Sequence, residues 1–249
     1  MQKVTHSEYI AQKKPLAKQL LAKLNEKYQY ASVLITDNYE KGYRASRSGV
    51  AISATNAFGG KGMIVKVYDG KGYAEYSTNE ITAENLPEIE REIEQQLMNP
   101  ANFIPEGTEE AEYKCISDEP CTLCEATDYE IHPREVGDEK LIETVTALRE
   151  KAVKADERIL DAITGFNYQE YHKLFLSANR ELEQSVLYST GIMALVAAKG
   201  EEIKQSFRGF SNLGGAELLD KMESAIPQCV KTVTDLLNAE PMEPGTYEC

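Results

Sequence analysis

No apolar stretch in this chain is longer than the seven residues from Ile192 to Ala198, far short of the roughly 20 needed to cross a bilayer as a helix. Met1 to Lys14 lacks both the apolar segment and the small-residue cleavage site of a secretory signal. Positive charge is also in short supply. Lys and Arg number 27 against 41 Asp and Glu, a formal net charge of −14. Such a surface repels phosphates and anionic lipid, and no basic patch interrupts it, so neither nucleic acid nor membrane is expected as a partner. Cysteine is sparse and odd in number, at five. Without an export signal these read as free thiols in a reducing compartment, and the expected location is the cytoplasm.

The usual catalytic signatures are missing as well. Gly60-Lys61 is followed by Gly62 and then by a strand pattern, so it is not a nucleotide phosphate loop, and no G-x-G-x-x-G occurs. There is no Ser-His-Asp order and no pair of carboxylates in an apolar setting. The three histidines, His6, His132 and His172, are nowhere a helical turn apart, which is what a zinc-hydrolase helix requires. His172, in Tyr171-His172-Lys173, reads as a structural or exposed strand residue. No catalytic, cofactor-binding or metal-binding residue is therefore assigned from the sequence.

What is present describes a globular protein. A chain of 249 residues with 42% hydrophobic and 27% charged residues should bury roughly 70 to 75% of its extended surface. Its centre of organisation is the stretch Gly59 to Thr78. Met63, Val65 and Val67 alternate with Ile64, Lys66 and Tyr68, Asp69-Gly70 makes a turn, and Tyr73 to Thr78 alternates again, which predicts a β-hairpin. Before it, Pro15 can open a helix carrying Leu16, Leu20, Leu21 and Leu24 on one stripe to about Tyr28, and Ala31–Tyr39, Tyr43–Arg47 and Gly49–Thr55 read as short strands. After it, Leu86, Ile89, Ile93 and Leu97 recur at helical spacing until Asn99-Pro100.

A second run of the same order follows. Asp138 to Ala162 has a helical apolar stripe. Ile163–Ala178, Glu181–Tyr188, Ile192–Ala198 and Glu201–Phe210 read as strands, with turns at Thr190-Gly191 and Lys199-Gly200. Gly214-Gly215 closes this region, and the helix opened by Leu218 is kinked or restarted by Pro227, with Cys229 on its core face. The expected fold class is α+β, two mainly antiparallel β-meanders covered by long amphipathic helices. The expected division is a helix–meander–helix unit over 1–99, an irregular Cys-containing connection over 100–135, and a second unit over 136–249.

Between the two units, from Pro100 to Pro133, periodicity stops and prolines and acids accumulate, so this span is expected to be the least ordered. It holds Cys115, Cys121, Cys124 and His132, the right ligand types for tetrahedral zinc. The spacing has one C-x-x-C where structural sites have two, which leaves structural zinc, a redox pair and incidental thiols all open. Nearby Asp118, Glu119, Glu125 and Asp128 argue against a reactive thiolate.

Ser48-Gly49-Val50, the run Gly59 to Tyr68, the turn Asp69-Gly70-Lys71-Gly72-Tyr73, Ser77-Thr78, Glu183 to Gly191, Gly214-Gly215 and Pro241 to Tyr247 together resemble the N-terminal region of the TldD/PmbA family of metallopeptidases, also named for a proposed modulation of DNA gyrase. The resemblance implies a non-catalytic portion that assembles dimers, with itself or with a paralogous subunit, and walls a chamber admitting small or unfolded peptides. It also implies a zinc-binding H-E-x-x-x-H helix shortly beyond the Pro-Gly-x-Tyr landmark. This sequence stops at Cys249 without one, so no cofactor is expected in this chain and zinc is expected in a C-terminal catalytic domain. The alternatives are an acidic interaction protein and a catalytically dead partner subunit.

Overall fold

The computed structural model describes residues 1–54, 60–98, 113–240 and 242–248. In chain order the elements are β1 (Gln2–Lys3), α1 (Glu8–Lys27), β2 (Tyr30–Ser46), β3 (Gly49–Ala54), β4 (Lys61–Tyr68), β5 (Tyr73–Thr78), α2 (Leu86–Met98), β6 (Cys121–Ala126), β7 (Asp128–Tyr129), α3 (Pro133–Val136), α4 (Asp138–Lys154), β8 (Ile159–Ser177), β9 (Arg180–Lys199), β10 (Glu202–Leu213), α5 (Leu218–Ser224) and α6 (Ile226–Leu236). The fold is α+β, and both meanders are present and mainly antiparallel. Long pairing between β2 and β8, from Ser32 opposite Ser177 to Ala45 opposite Thr164, joins them into one eight-stranded sheet. Its order is β10-β9-β8-β2-β4-β5. β3 pairs with β2, and β6 runs parallel to β9.

The helices lie on one face of this sheet. Val33 of β2 and Leu176 of β8 are register partners under α1 and α2, while Tyr43 and Phe166, partners on the same two strands, lie under α4, α5 and α6. Inward residues are two apart along each strand, so both clusters occupy the same side. The other side carries half-exposed or exposed apolar residues such as Ile64 and Ile192.

Where the elements depart from the sequence reading, the causes are specific. Helix α1 begins at Glu8, with Pro15 in its interior. Ser7 Oγ accepts a hydrogen bond from the Ile10 amide at 3.1 Å and Ile10 is 1% exposed, so cap and burial offset the bond that Pro15 cannot donate. Helix α4 stops at Lys154, eight residues short of Ala162. There Asp156 Oδ1 accepts from the Arg158 amide at 2.9 Å, Asp156 O accepts from the Ile159 amide at 3.0 Å, and the chain turns directly into β8.

No turn forms at Thr190-Gly191. β9 runs straight through it, and Met222 of α5 lies on Gly191, where a Cβ would clash with the Met222 sulfur. The hairpin of β4 and β5 is as expected, with Gly70 at φ 101° and Asp69 Oδ1 accepting from the amides of Lys71 and Gly72. The final helix is broken into α5 and α6 ahead of Pro227.

The Cys-containing connection also departs from expectation. Residues 121–126 form a strand on β9, β7 pairs with β1, and Pro133–Val136 is a helical turn. Parallel pairing to a remote strand leaves no periodic trace in an exposed segment, which is why it read as an irregular connection. The part of that span before Tyr113 lies outside the described residues, as do Thr55, Gly59, Pro241 and Cys249.

Candidate functional site

The two apolar clusters meet along a polar line. Inward positions on β8 run Tyr168, Glu170, His172, Leu174, Leu176, and those on β9 run Glu183, Ser185, Leu187, so each strand turns polar at one level and apolar again beyond it. Pairing aligns these levels, with Asp37 of β2 opposite His172 and His172 opposite Ser185. Glu170, His172 and Ser185 are 6%, 7% and 1% exposed. Polar groups that deeply placed must be hydrogen-bonded or ion-paired to be tolerated, and here the partners come from the segments packed on top.

The first of these is the chain between β1 and α1. β1 pairs with β7 and the Val4 amide donates to Thr127 O at 3.0 Å, which lays His6 and Ser7 across the sheet. Ser7 Oγ donates to Asp37 Oδ2 at 2.6 Å while capping α1. The loss of both bonds in Ser7→Ala should cost about 1 to 2 kcal/mol, read as a lower denaturation midpoint with unchanged slope. His6 Nδ1 is 2.9 Å from Ser185 Oγ and 3.7 Å from Glu183 Oε1, and its Nε2 is 3.4 Å from Cys124 Sγ. Ser185 Oγ is also 2.9 Å from His172 Nδ1, and His172 Nε2 faces Glu170 Oε2 at 3.7 Å.

From the other side come His132 and Arg134. His132 Nδ1 accepts from the Arg134 amide as the cap of α3, and its Nε2 lies 3.6 Å from Glu170 Oε1. Arg134 Nε is 2.7 Å from the same oxygen, with its guanidinium 4.3 Å above the Tyr39 ring. Burial opposes ionisation of Glu170. The His172 hydrogen bond and the electrostatic influence of Arg134, His132 and His172 outweigh it together, holding the carboxyl below the ordinary glutamate range. Burial, reinforced by the hydrogen bond between Tyr168 and Tyr39, pushes the Tyr168 phenol up.

All three histidines therefore converge on one line, although they stand far apart in sequence, at positions 6, 132 and 172. The available signal was the inward period of β8, where Glu170 and His172 replace apolar residues. The four candidate ligands, by contrast, do not form one site. Cys121 and Cys124 are three apart on an extended strand, so their side chains point to opposite faces and lie roughly 10 Å apart. Cys115 is exposed and, among the described residues, bonds its neighbour's carbonyl, and His132 is committed to Glu170 and the α3 cap. Among the described residues no group of three or more His, Cys, Asp or Glu is arranged to hold a metal ion, so zinc does not fit the residues seen here.

Ser185, His172 and Glu170 have the residue types of a hydrolytic triad. Ser185 is 1% exposed and its hydroxyl is held between two imidazoles, so substrate cannot reach it. The exposed nucleophile on this line is Cys124.

No family model matches the chain, and no curated protein matches it. Solved structures do. A protein described as a candidate modulator of DNA gyrase from Thermotoga maritima superposes with a TM-score of 0.70 at 14% identity, covering 93% of this chain and 50% of that one. Another so described, from Bacteroides thetaiotaomicron, gives 0.67 at 16% identity over 93% and 52%. TldE from Thermococcus kodakarensis gives 0.63 at 13% identity over 87% and 47%. The chain thus has the fold of gyrase-modulator and TldE structures, in agreement with the resemblance read from its landmarks. It spans about half the length of those chains.

Proposed function

We propose that this chain is the non-catalytic portion of a TldD/PmbA-like zinc metallopeptidase, contributing subunit assembly and one wall of the chamber through which small or unfolded peptides pass. The observation that carries the reading is the agreement of fold over 93% of this chain with about half of each gyrase-modulator structure. Peptide hydrolysis by zinc needs three protein ligands, an open position for water and a base, and those would come from the other half. The partner would be a second copy or a paralogous subunit. The cytoplasm is the proposed location, supported by the unpaired Cys115, Cys121, Cys124 and Cys229. No helix among the described residues is long and apolar enough to cross a membrane.

The chain alone should release no product from an unstructured peptide, with or without added zinc. Co-expressed with the C-terminal half of a TldD-type protein, it should support cleavage that a chelator abolishes. Chelator-sensitive cleavage by the isolated chain would overturn the proposal. The net charge of −14 favours one second reading, an acidic partner protein that acts by binding, as the gyrase description suggests. Capture of gyrase rather than of the peptidase half in a pull-down would select it.

A further inference from the structure

The polar line has a direction, set by its buried end. Glu170 is held ionised and is then an acceptor only, so His172 presents N–H at Nε2 to it. In a neutral imidazole Nδ1 is then an acceptor, and Ser185 Oγ–H donates to it at 2.9 Å. The Ser185 oxygen is left to accept from His6 Nδ1–H at 2.9 Å. The lone pair of His6 Nε2 consequently faces the Cys124 sulfur at 3.4 Å. This is the one neutral arrangement in which each group in the chain has a donor facing an acceptor. Charged groups near the pair include Glu183, 3.7 Å from His6 Nδ1, Lys14 of α1, 2.8 Å from Glu183 and 2.9 Å from Glu181, and Glu125, which follows Cys124 and disfavours a resting thiolate, so the base at His6 is what the site depends on. Glu183 would stabilise His6 once it carried a proton. Cys124 itself is exposed, unlike the buried Cys229.

We propose that Cys124 and His6 form a base-assisted thiol site that reacts with peroxides and other small soft electrophiles, with Ser185, His172 and Glu170 positioning the imidazole. With a peroxide, His6 Nε2 takes the thiol proton and the sulfur attacks one peroxide oxygen. The O–O bond breaks as the S–O bond forms, and the departing hydroxide recovers the proton from His6 as water. Cys124 is oxidised by two electrons to the sulfenic acid and the peroxide is reduced. Cys121 cannot resolve it, since the two lie on opposite faces about 10 Å apart, beyond the roughly 7 Å limit for a disulfide. The sulfenic acid would instead condense with a low-molecular-weight thiol, releasing water and leaving a mixed disulfide.

Cys115 and Cys121 are exposed cysteines of the same molecule, and all three histidines are engaged away from them, so they serve as internal references. The full chain is treated at neutral pH with limiting hydrogen peroxide plus a sulfenic-acid trap, and separately with iodoacetamide, and labelling at each cysteine is quantified by peptide mass spectrometry. Cys124 should react at least about tenfold faster than Cys121 with both reagents, a modest return for a positioned base. In His6→Gln the ratio should fall to near one with Cys121 unchanged. Ser185→Ala should lower the ratio and Ser185→Thr, which keeps the hydroxyl, should restore it. Wild-type protein in denaturant should also give a ratio near one, which does not depend on any variant folding. Equal rates at Cys124 and Cys121 in the native wild type, or a full advantage surviving in folded His6→Gln, would overturn the proposal. Equal ratios in the two Ser185 variants would overturn the relay.

Discussion

Phe166→Ala should lower folding stability by about 3 to 5 kcal/mol, with the denaturation midpoint moving and its slope unchanged. Phe166 is fully buried at the middle of β8, with Tyr43 of β2 on one side and Gly191 of β9 on the other. Its ring lies 6.5 Å from that of Tyr168 in the cluster beneath α4, α5 and α6. Gly191 has no side chain to move into the space, and Met222 is already seated on it, so the cavity left by the ring cannot collapse from that side. Phe207 of β10 is the natural control. It is 79% exposed on the edge strand, and Phe207→Ala should change stability by less than about 0.5 kcal/mol. A loss under about 1.5 kcal/mol at Phe166 would mean that the central sheet does not bury it in this way.

The contrast between these two phenylalanines marks what sequence can and cannot carry. Both sit in strand-like runs, and alternation correctly places β4, β5 and β10 as strands, just as the 3–4 spacing of Leu86, Ile89 and Ile93 places α2. Local chemistry likewise foretells the Asp69-Gly70 turn and the break ahead of Pro227. Which end of a sheet a strand occupies is decided by partners far away. The pairing of β2 with β8 joins segments more than a hundred residues apart, and no local pattern near either strand reports it. Gly191 reads as a turn because glycine often makes one. Its role here, admitting Met222, depends on a helix that comes thirty residues later.

The polar line was hidden for the same reason. His6, His132 and His172 are isolated in sequence, and only the β1–β7 pairing and the cap of α3 bring two of them over the third. The pattern of β8 did contain the clue, two polar residues at inward positions, but not the identity of what would cover them. The cysteines pose the opposite case, since the sequence left zinc, a redox pair and incidental thiols all open. C-x-x-C suggests proximity when the backbone is a turn, and β6 is extended.

Glu170→Ala should be the most damaging change along this line, at about 3 to 5 kcal/mol near neutral pH, because it leaves Arg134, His132 and His172 facing one another without the buried carboxylate that joins them. Glu170→Gln retains the shape and should cost less, and its cost should depend on pH in a defined sense. The folded-state pKa of Glu170 is depressed below its ordinary value of 4.5, burial being outweighed by His172, Arg134 and His132. A carboxyl depressed on folding contributes its stability in full above the unfolded value and loses it as pH falls through the folded one. The stability gap between wild type and Glu170→Gln should therefore be widest at neutral pH, begin to close below 4.5, and narrow further as pH falls through the depressed folded value. Urea titrations at a series of pH values measure that gap directly. A gap that stayed constant down to strongly acid conditions would show that the ionised carboxylate is not what joins the two cores.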